Sequence, residues 1–162
     1  MESNAEMMCE TMQLRIESDK QNISFVRVVV AAFFSRLDPT VEELEDVKTA
    51  VSEAVTNAVI HGYRDKPGIV EIQCTITGRE TSTVIQDWGI GIADVPKAME
   101  PLYTGRPDLE RSGMGFSFME AFMDTVTVES APGKGTKVIL GKLFSEVASG
   151  WRQAAASASE RV

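Results

Sequence analysis

Apolar and polar residues alternate near the start of the chain, and this pattern predicts a β-strand. Three apolar residues occupy every second position there: Met12, Leu14 and Ile16. A first helix is then predicted from a cap at Ser18 or Asp19 to about Leu37. Asp38-Pro39 would end it, because the residue before a proline disfavours helical geometry. Its apolar side is expected to comprise five residues: Phe25, Val28, Val29, Ala32 and Phe33.

A second helix is predicted between Thr40 and Gly62. Thr40 and Glu43 have the spacing of a capping box at its start. His61-Gly62 marks its end, because glycine tolerates the left-handed geometry of a helix cap. Its apolar stripe consists of five residues at helical spacing: Leu44, Val47, Val51, Val55 and Ala58.

The second half of the chain predicts strand pairs on either side of a loop and a helix. Four strands are indicated by alternating residues and turn signals, over 70–77, 83–86, 125–129 and 136–143. Turns near Gly78 and over 132–135 separate them into pairs. The helix is expected from Gly115 to Phe122. The polar segment 94–112 contains three prolines and little periodicity, which predicts a loop or lid.

The order β-α-α-β-β-lid-α-β-β predicts an α+β fold. Strand pairs adjacent in sequence favour a mostly antiparallel sheet, with helices on one face as a two-layer sandwich. The domain is expected over 12–145. Residues 1–11 are predicted to form a flexible extension, and the Ala/Ser-rich residues 146–162 a disordered tail.

Composition limits the class of function. The 162 residues suffice for one domain with its own core. The net charge is −8 and no basic cluster is present, which argues against nucleic-acid binding. No apolar run is long enough for a membrane span, and the acidic start lacks the layout of a signal peptide. Cys9 and Cys74 lack metal-ligand spacing, so reduced thiols and a cytoplasmic location are expected.

Glu53 and Asn57 are the first candidate site residues. They are four residues apart, so they are neighbours on the second helix, opposite its apolar stripe. In a functional interpretation the Asn57 amide oxygen binds Mg²⁺ and Glu53 accepts a proton from an attacking hydroxyl. In the alternative interpretation both side chains lie on an ordinary solvated helix face.

Asp87 and a later glycine-rich segment are further candidates. Asp87 ends a strand and precedes Gly89-x-Gly91, where a carboxylate can accept from the adenine amine; an ordinary strand-end turn has the same composition. Gly113-Met114-Gly115 precedes a helix whose free amides can bind phosphate, with Arg111 beside a terminal phosphate. A simple glycine-rich helix entry is the alternative. His61, the only histidine, is expected to cap or pack.

Three segments in this order resemble the N, G1 and G2 boxes of the GHKL ATPase and kinase superfamily. They are Glu53-Ala54-Val55-Thr56-Asn57-Ala58, Asp87-Trp88-Gly89-Ile90-Gly91-Ile92 and Arg111-Ser112-Gly113-Met114-Gly115-Phe116. Within that superfamily, four segments are similar to those of anti-sigma factors that are also serine kinases, namely residues 37–40, 51–58, 61–63 and 109–116. The resemblance extends from about Met12 to Leu143.

The resemblance implies an ATP-binding fold of the Bergerat type and a homodimer with two protein partners. It implies inhibition of a sporulation sigma factor, sigma F, and phosphorylation of a serine on an anti-anti-sigma protein with Mg-ATP. Glu53 would be the general base, Asn57 the magnesium ligand and Arg27 a partner-binding residue. The implied nucleotide-binding residues are Asn57, Asp87, Gly89, Gly91, Ile92, Thr104, Arg111, Gly113, Met114, Gly115, Phe116 and Thr136.

Trp88 departs from the superfamily pattern, which usually has a small or acidic residue at this position. Its ring could stack beside the base or point outward. Three alternative functions remain open: a related anti-sigma kinase for a general-stress sigma factor, the catalytic half of a histidine kinase, and a binding module that holds nucleotide without turnover. The histidine kinase is disfavoured because no dimerisation helix with a phosphoacceptor histidine is recognised.

Overall fold

The computed structural model describes residues 9–101 and 115–146. Within them, five strands form one sheet whose order is β1-β2-β3-β5-β4, and each neighbouring pair is antiparallel. The strands are β1 (Cys9–Glu17), β2 (Ile69–Thr77), β3 (Glu80–Asp87), β4 (Thr125–Ser130) and β5 (Thr136–Leu143). The apolar side chains of the sheet face the helices and form the core with them. This architecture confirms the predicted two-layer α+β class.

The helices lie on one face of the sheet. They are α1 (Gln21–Phe34), which ends in a 3₁₀ turn (Ser35–Leu37), α2 (Val41–Thr56), which continues as a π-helix (Asn57–Gly62), α3 (Val95–Ala98) and α4 (Gly115–Phe122). α2 packs against both α1 and α4, so it is the central helix. No helix in the described part of the chain is long and apolar enough to cross a membrane.

The predicted start and core face of α2 are confirmed. Thr40 Oγ1 accepts from the Glu43 N–H at 3.1 Å, and the Glu43 carboxylate accepts from the Thr40 N–H at 2.9 Å. This capping box satisfies two amide groups that a helix start otherwise leaves unpaired. Val47, Val51 and Val55 are fully buried, as the apolar stripe predicts.

The predicted core face of α1 is largely wrong: of its five residues, only Phe33 is buried. Phe25 and Val28 are 51% and 62% exposed, and Ala32 is also exposed. The residues that α1 buries are Val26, Val30, Ala31, Phe33 and Phe34. The helix is apolar on nearly every side, so its sequence period cannot distinguish the core face. Packing against α2, β1 and β2 decides the orientation instead.

β1 begins three residues before the predicted strand. Cys9 pairs with Thr77 in the ladder with β2, so residues 9–11 belong to the sheet and not to a flexible extension. The nine-residue length of β2 provides partners for these additional positions. Residues 1–8 and 147–162, which cover the rest of the predicted extension and nearly all of the predicted tail, lie outside the described residues.

The short helix α3 lies within the segment 94–112, which the sequence predicts to be a loop or lid. Asp94 Oδ1 accepts from the Lys97 N–H at 3.1 Å, and Pro96 lies in the first turn, where a proline is compatible with a helix. A proline inside a helix breaks it, but Pro96 follows the N-cap Asp94 closely enough to mark a helix start. Residues 102–112, the remainder of the predicted lid, lie outside the described residues.

Candidate nucleotide-binding site

A cavity of about 540 Å³ lies where the π-helix, the end of β3 and the start of α4 meet. Seven of the predicted nucleotide-binding residues line it: Asn57, Asp87, Gly91, Ile92, Gly115, Phe116 and Thr136. The fold therefore brings together residues from all three sequence segments. The volume is within the range typical of small-molecule pockets.

The start of α4 meets Glu53 and Asn57 at one end of the cavity. A Cβ atom placed on Gly115 would lie 3.3 Å from Glu53 Oε2 and 3.5 Å from Asn57 Oδ1. Both side chains are half-buried, so they do not lie on a fully solvated helix face. A carboxylate and an amide oxygen next to a helix N-terminus are suited to a phosphate group with its Mg²⁺.

Asp87 forms the other end of the cavity and is 4% exposed. Burial raises the pKa of its carboxyl to about 6, although the backbone N–H groups of Gly89 and Thr136 donate to it and oppose the shift. The Gly89 N–H lies 2.9 Å from Asp87 Oδ1. A Cβ atom on Gly62 would lie 2.8 Å from the same oxygen, so a larger residue would displace the carboxyl.

The turn between β4 and β5 supports the loop that follows Asp87. The Gly133 N–H donates to Ile90 C=O at 2.7 Å, and the Ile92 N–H donates to Ser130 Oγ at 2.8 Å. Gly91 has φ +73° and would clash with the Ala131 carbonyl if it carried a Cβ atom, 2.0 Å away. Two backbone segments therefore meet closely at the wall of the cavity.

Some predicted site residues do not line the cavity. Glu53 and Gly89 lie directly beside residues that do, since Gly89 packs on the Gly62 carbonyl. Trp88 is 50% exposed and is not a lining residue, so its ring points outward. Arg27 lies on α1, where it pairs with Glu45 at 3.2 Å. Four further predicted residues lie outside the described residues: Thr104, Arg111, Gly113 and Met114.

Several polar residues that line the cavity were not assigned to the site from sequence. His61 is one of them, and its spacing of four residues from Asn57 was the available signal. Arg64 and Lys97 also line the cavity and add cationic side chains to it. Arg64 has φ +51°, a left-handed conformation that its residue type does not predict.

Side-chain oxygens that could be ligands of a magnesium ion are present at the Gly115 end of the cavity. Among the described residues, no group of three or more His, Cys, Asp and Glu side chains is arranged to hold a metal. Mg²⁺ bound with a nucleotide commonly takes only one or two protein oxygens, with phosphate and water as its other ligands. The Asn57 amide and the Glu53 carboxylate are of this type.

Comparison with known proteins assigns the family. Residues 16–142 match the family described as the histidine kinase-like ATPase domain. The match covers more than half of the chain, so the chain belongs to this family. A solved structure of the RsbU and RsbW domains of Rv1364c from Mycobacterium tuberculosis has a similar fold, with a TM-score of 0.61 and 19% identity. The similarity covers 86% of this chain and 33% of that one, and it concerns the fold alone.

Similar relatives narrow the assignment within that family. The chain is 58% identical over 139 residues to the anti-sigma F factor of Clostridium acetobutylicum, with 86% of this chain and 97% of the relative covered. It is 56% identical over 141 residues to that of Clostridium kluyveri, with 87% and 99% covered. It is 55% identical over 131 residues to the anti-sigma F factor of Thermoanaerobacter sp., with 81% of this chain and 92% of the relative covered. The chain is thus a member of the anti-sigma F factor family.

Proposed function

We propose that the protein is an anti-sigma factor that binds a sporulation sigma factor, sigma F, and phosphorylates a serine of an anti-anti-sigma protein with Mg-ATP. The supporting observation is the convergence of Asp87, Asn57 and Gly115 at one cavity. The names of the relatives support the sigma partner. A homodimer is part of the proposal because the family resemblance implies it, and a cytoplasmic location because sigma factors act in transcription.

Each end of the cavity has its own role in this proposal. The ionised Asp87 carboxylate accepts from the exocyclic amine of adenine, and the buried setting makes that hydrogen bond selective. The amide groups at the start of α4 bind phosphate oxygens. Asn57 would hold Mg²⁺, which when bound neutralises phosphate charge during transfer.

Glu53 is the proposed general base. It accepts the proton of the serine hydroxyl while the serine oxygen forms a bond to the γ-phosphorus and the bond to ADP breaks. Its Oε2 lies next to the backbone of Gly115, which puts the carboxylate at the phosphate end of the cavity. In such a reaction, positioning and charge neutralisation contribute most of the rate enhancement.

The proposal is tested by incubating the protein with γ-labelled ATP and candidate anti-anti-sigma proteins. Acid-stable label on serine supports the serine kinase. Acid-labile label would indicate a histidine kinase, and ATP binding without label transfer would indicate a binding module. Parallel incubations with general-stress partners distinguish the related anti-sigma kinases.

Glu53→Gln tests the base within the same assay. Transfer is expected to fall by roughly 10²–10⁴, the usual contribution of a general base, while ATP affinity changes little because the amide has the same shape. Rates come from initial label transfer and affinity from calorimetry. Ser52→Ala, a polar change at the adjacent position of α2, is the control. Near-normal transfer by Glu53→Gln would remove Glu53 from the mechanism.

A further inference from the structure

Tyr63 follows the π-helix, and its hydroxyl joins two strands at the base end of the cavity. It accepts from the Trp88 N–H at 2.9 Å and donates to the Ile69 C=O. The ladder between β2 and β3 ends at the pair Val70 and Asp87. Ile69 is the next residue on β2 and Trp88 directly follows β3, so the hydroxyl bridges the position where a further ladder pair would form.

This bridge separates the two strands immediately after Asp87. A direct hydrogen bond between the Trp88 N–H and the Ile69 C=O would continue the ladder and draw Trp88 toward β2. The Tyr63 hydroxyl oxygen lies between the Trp88 N–H and the Ile69 C=O and keeps them apart, and the segment after Trp88 turns toward Gly62. There the Ile90 N–H donates to the Gly62 C=O at 2.9 Å.

The position of the Tyr63 ring is itself fixed by its surroundings. A Cβ atom on Gly68 would lie 2.2 Å from Tyr63 Cε1, so the ring packs directly on that glycine. The Tyr63 N–H donates to Ala58 C=O and its own C=O accepts from the Lys66 N–H, both at 3.0 Å. The hydroxyl is therefore held on a rigid support and can impose a position on Trp88.

We propose that Tyr63 is a positioning residue for base recognition: its hydroxyl fixes the backbone at Trp88 and so the direction in which the adjacent Asp87 carboxylate points into the cavity. The inference rests on the proposed ATP binding. Tyr63 itself does not line the cavity, so it acts through Asp87 and not through the nucleotide.

Tyr63→Phe removes the hydroxyl and keeps the ring. The expected result is a roughly tenfold loss of ATP affinity, the size of one charge-linked hydrogen bond. GTP lacks an amine at the corresponding position, so its affinity should change much less. The ATP-over-GTP preference is measured by competition in the presence of Mg²⁺, which quantifies weak GTP binding as well.

Thr81→Val is the matched control. Thr81 is buried on β3, the strand that ends at Asp87, but it lies at the opposite end of that strand. Its hydroxyl donates to the Lys142 C=O at 2.8 Å. This variant should lose stability but keep both the ATP affinity and the ATP-over-GTP preference. Gly68→Ala is a second test variant, because its new Cβ must displace the Tyr63 ring. Like Tyr63→Phe, it should lower the preference for ATP over GTP.

The outcomes separate the inference from the proposed function. Wild-type ATP affinity in folded Tyr63→Phe would overturn the inference, as would equal losses for ATP and GTP, because a general structural defect affects both. A wild-type chain that does not bind ATP would overturn the proposed function and this inference with it. A selective loss for ATP in Tyr63→Phe, absent in Thr81→Val, supports the positioning role.

Discussion

At the residue scale, Asp87 combines a structural cost with the binding role proposed for it. Its carboxyl is 4% exposed, and burial raises its pKa to about 6. A raised pKa means that the folded state prefers the protonated carboxyl, so this group stabilises the fold fully below about pH 4. The contribution is lost as the pH rises through about 6, and the loss amounts to about 3 kcal/mol for the stated pKa change. Nucleotide binding would recover part of this cost through the adenine amine.

Asp87→Asn should therefore stabilise the nucleotide-free protein while it weakens ATP binding. At pH 8 the free energy of unfolding is expected to exceed that of wild type by on the order of 1–3 kcal/mol, and the difference should shrink toward pH 4. Urea unfolding across this range measures it. Asp65→Asn, at an exposed position, is the control for the loss of a carboxylate charge. A difference between wild type and Asp87→Asn that does not vary with pH would contradict the assignment.

At the element scale, the start of α4 and the polar face of α2 form one unit. Gly115 is the first residue of α4, and the space a Cβ atom would occupy lies 3.3 Å from Glu53 Oε2. Alanine has a higher helix propensity than glycine, so Gly115→Ala should not lower stability by more than a few tenths of a kcal/mol. The same change crowds Glu53 Oε2 and places a methyl group in contact with the Asn57 amide, where phosphate and Mg²⁺ would bind.

Gly115→Ala is thus expected to separate folding from binding. Mg-ATP affinity should fall by roughly tenfold, about 1.4 kcal/mol, with a smaller loss for metal-free ATP. Calorimetry with and without Mg²⁺ gives both values. Gly78→Ala, in the turn between β2 and β3 and not in the cavity lining, is the control for an added methyl group, although its φ of +63° adds backbone strain. Unchanged Mg-ATP affinity in Gly115→Ala would show that α4 and α2 do not share a phosphate site.

Local sequence signals predict some elements of this fold, whereas elements that depend on tertiary contacts have no such signal. The capping box and apolar stripe of α2 are local signals, and the structure contains both. Motif spacing alone makes Asn57 and Asp87 candidate site residues, and both line the cavity. The π-helix could not be predicted, because its i→i−5 hydrogen bond from Tyr63 to Ala58 accompanies the tertiary contact between Gly62 and Ile90. Arg64 was missed because its left-handed turn has no glycine or asparagine signal.

At the scale of the whole molecule, the candidate partner surface is separate from the nucleotide cavity. Arg27 lies on α1, beside exposed Phe25 and Val28, and none of these residues lines the cavity. Arg27 pairs with Glu45, which also pairs with Lys48 at 2.6 Å. α2 packs against both α1 and α4; it bears Glu45 and continues directly into the π-helix that begins at Asn57, so one helical segment connects the two regions.

Arg27→Glu should disrupt binding of sigma F and the anti-anti-sigma protein while it spares ATP binding. Exposed ion pairs contribute about 0–1 kcal/mol, so losing the Glu45 contact will not unfold the protein. Partner affinity is expected to fall at least tenfold, since arginine is frequent among the residues that dominate interface energies. Arg15→Glu, which reverses an exposed charge on β1 that pairs with Glu71 of β2, is the matched control. Pull-downs with ATP affinity measured in parallel decide the result, and retention of both partners by an ATP-competent Arg27→Glu protein would exclude Arg27 from the interface.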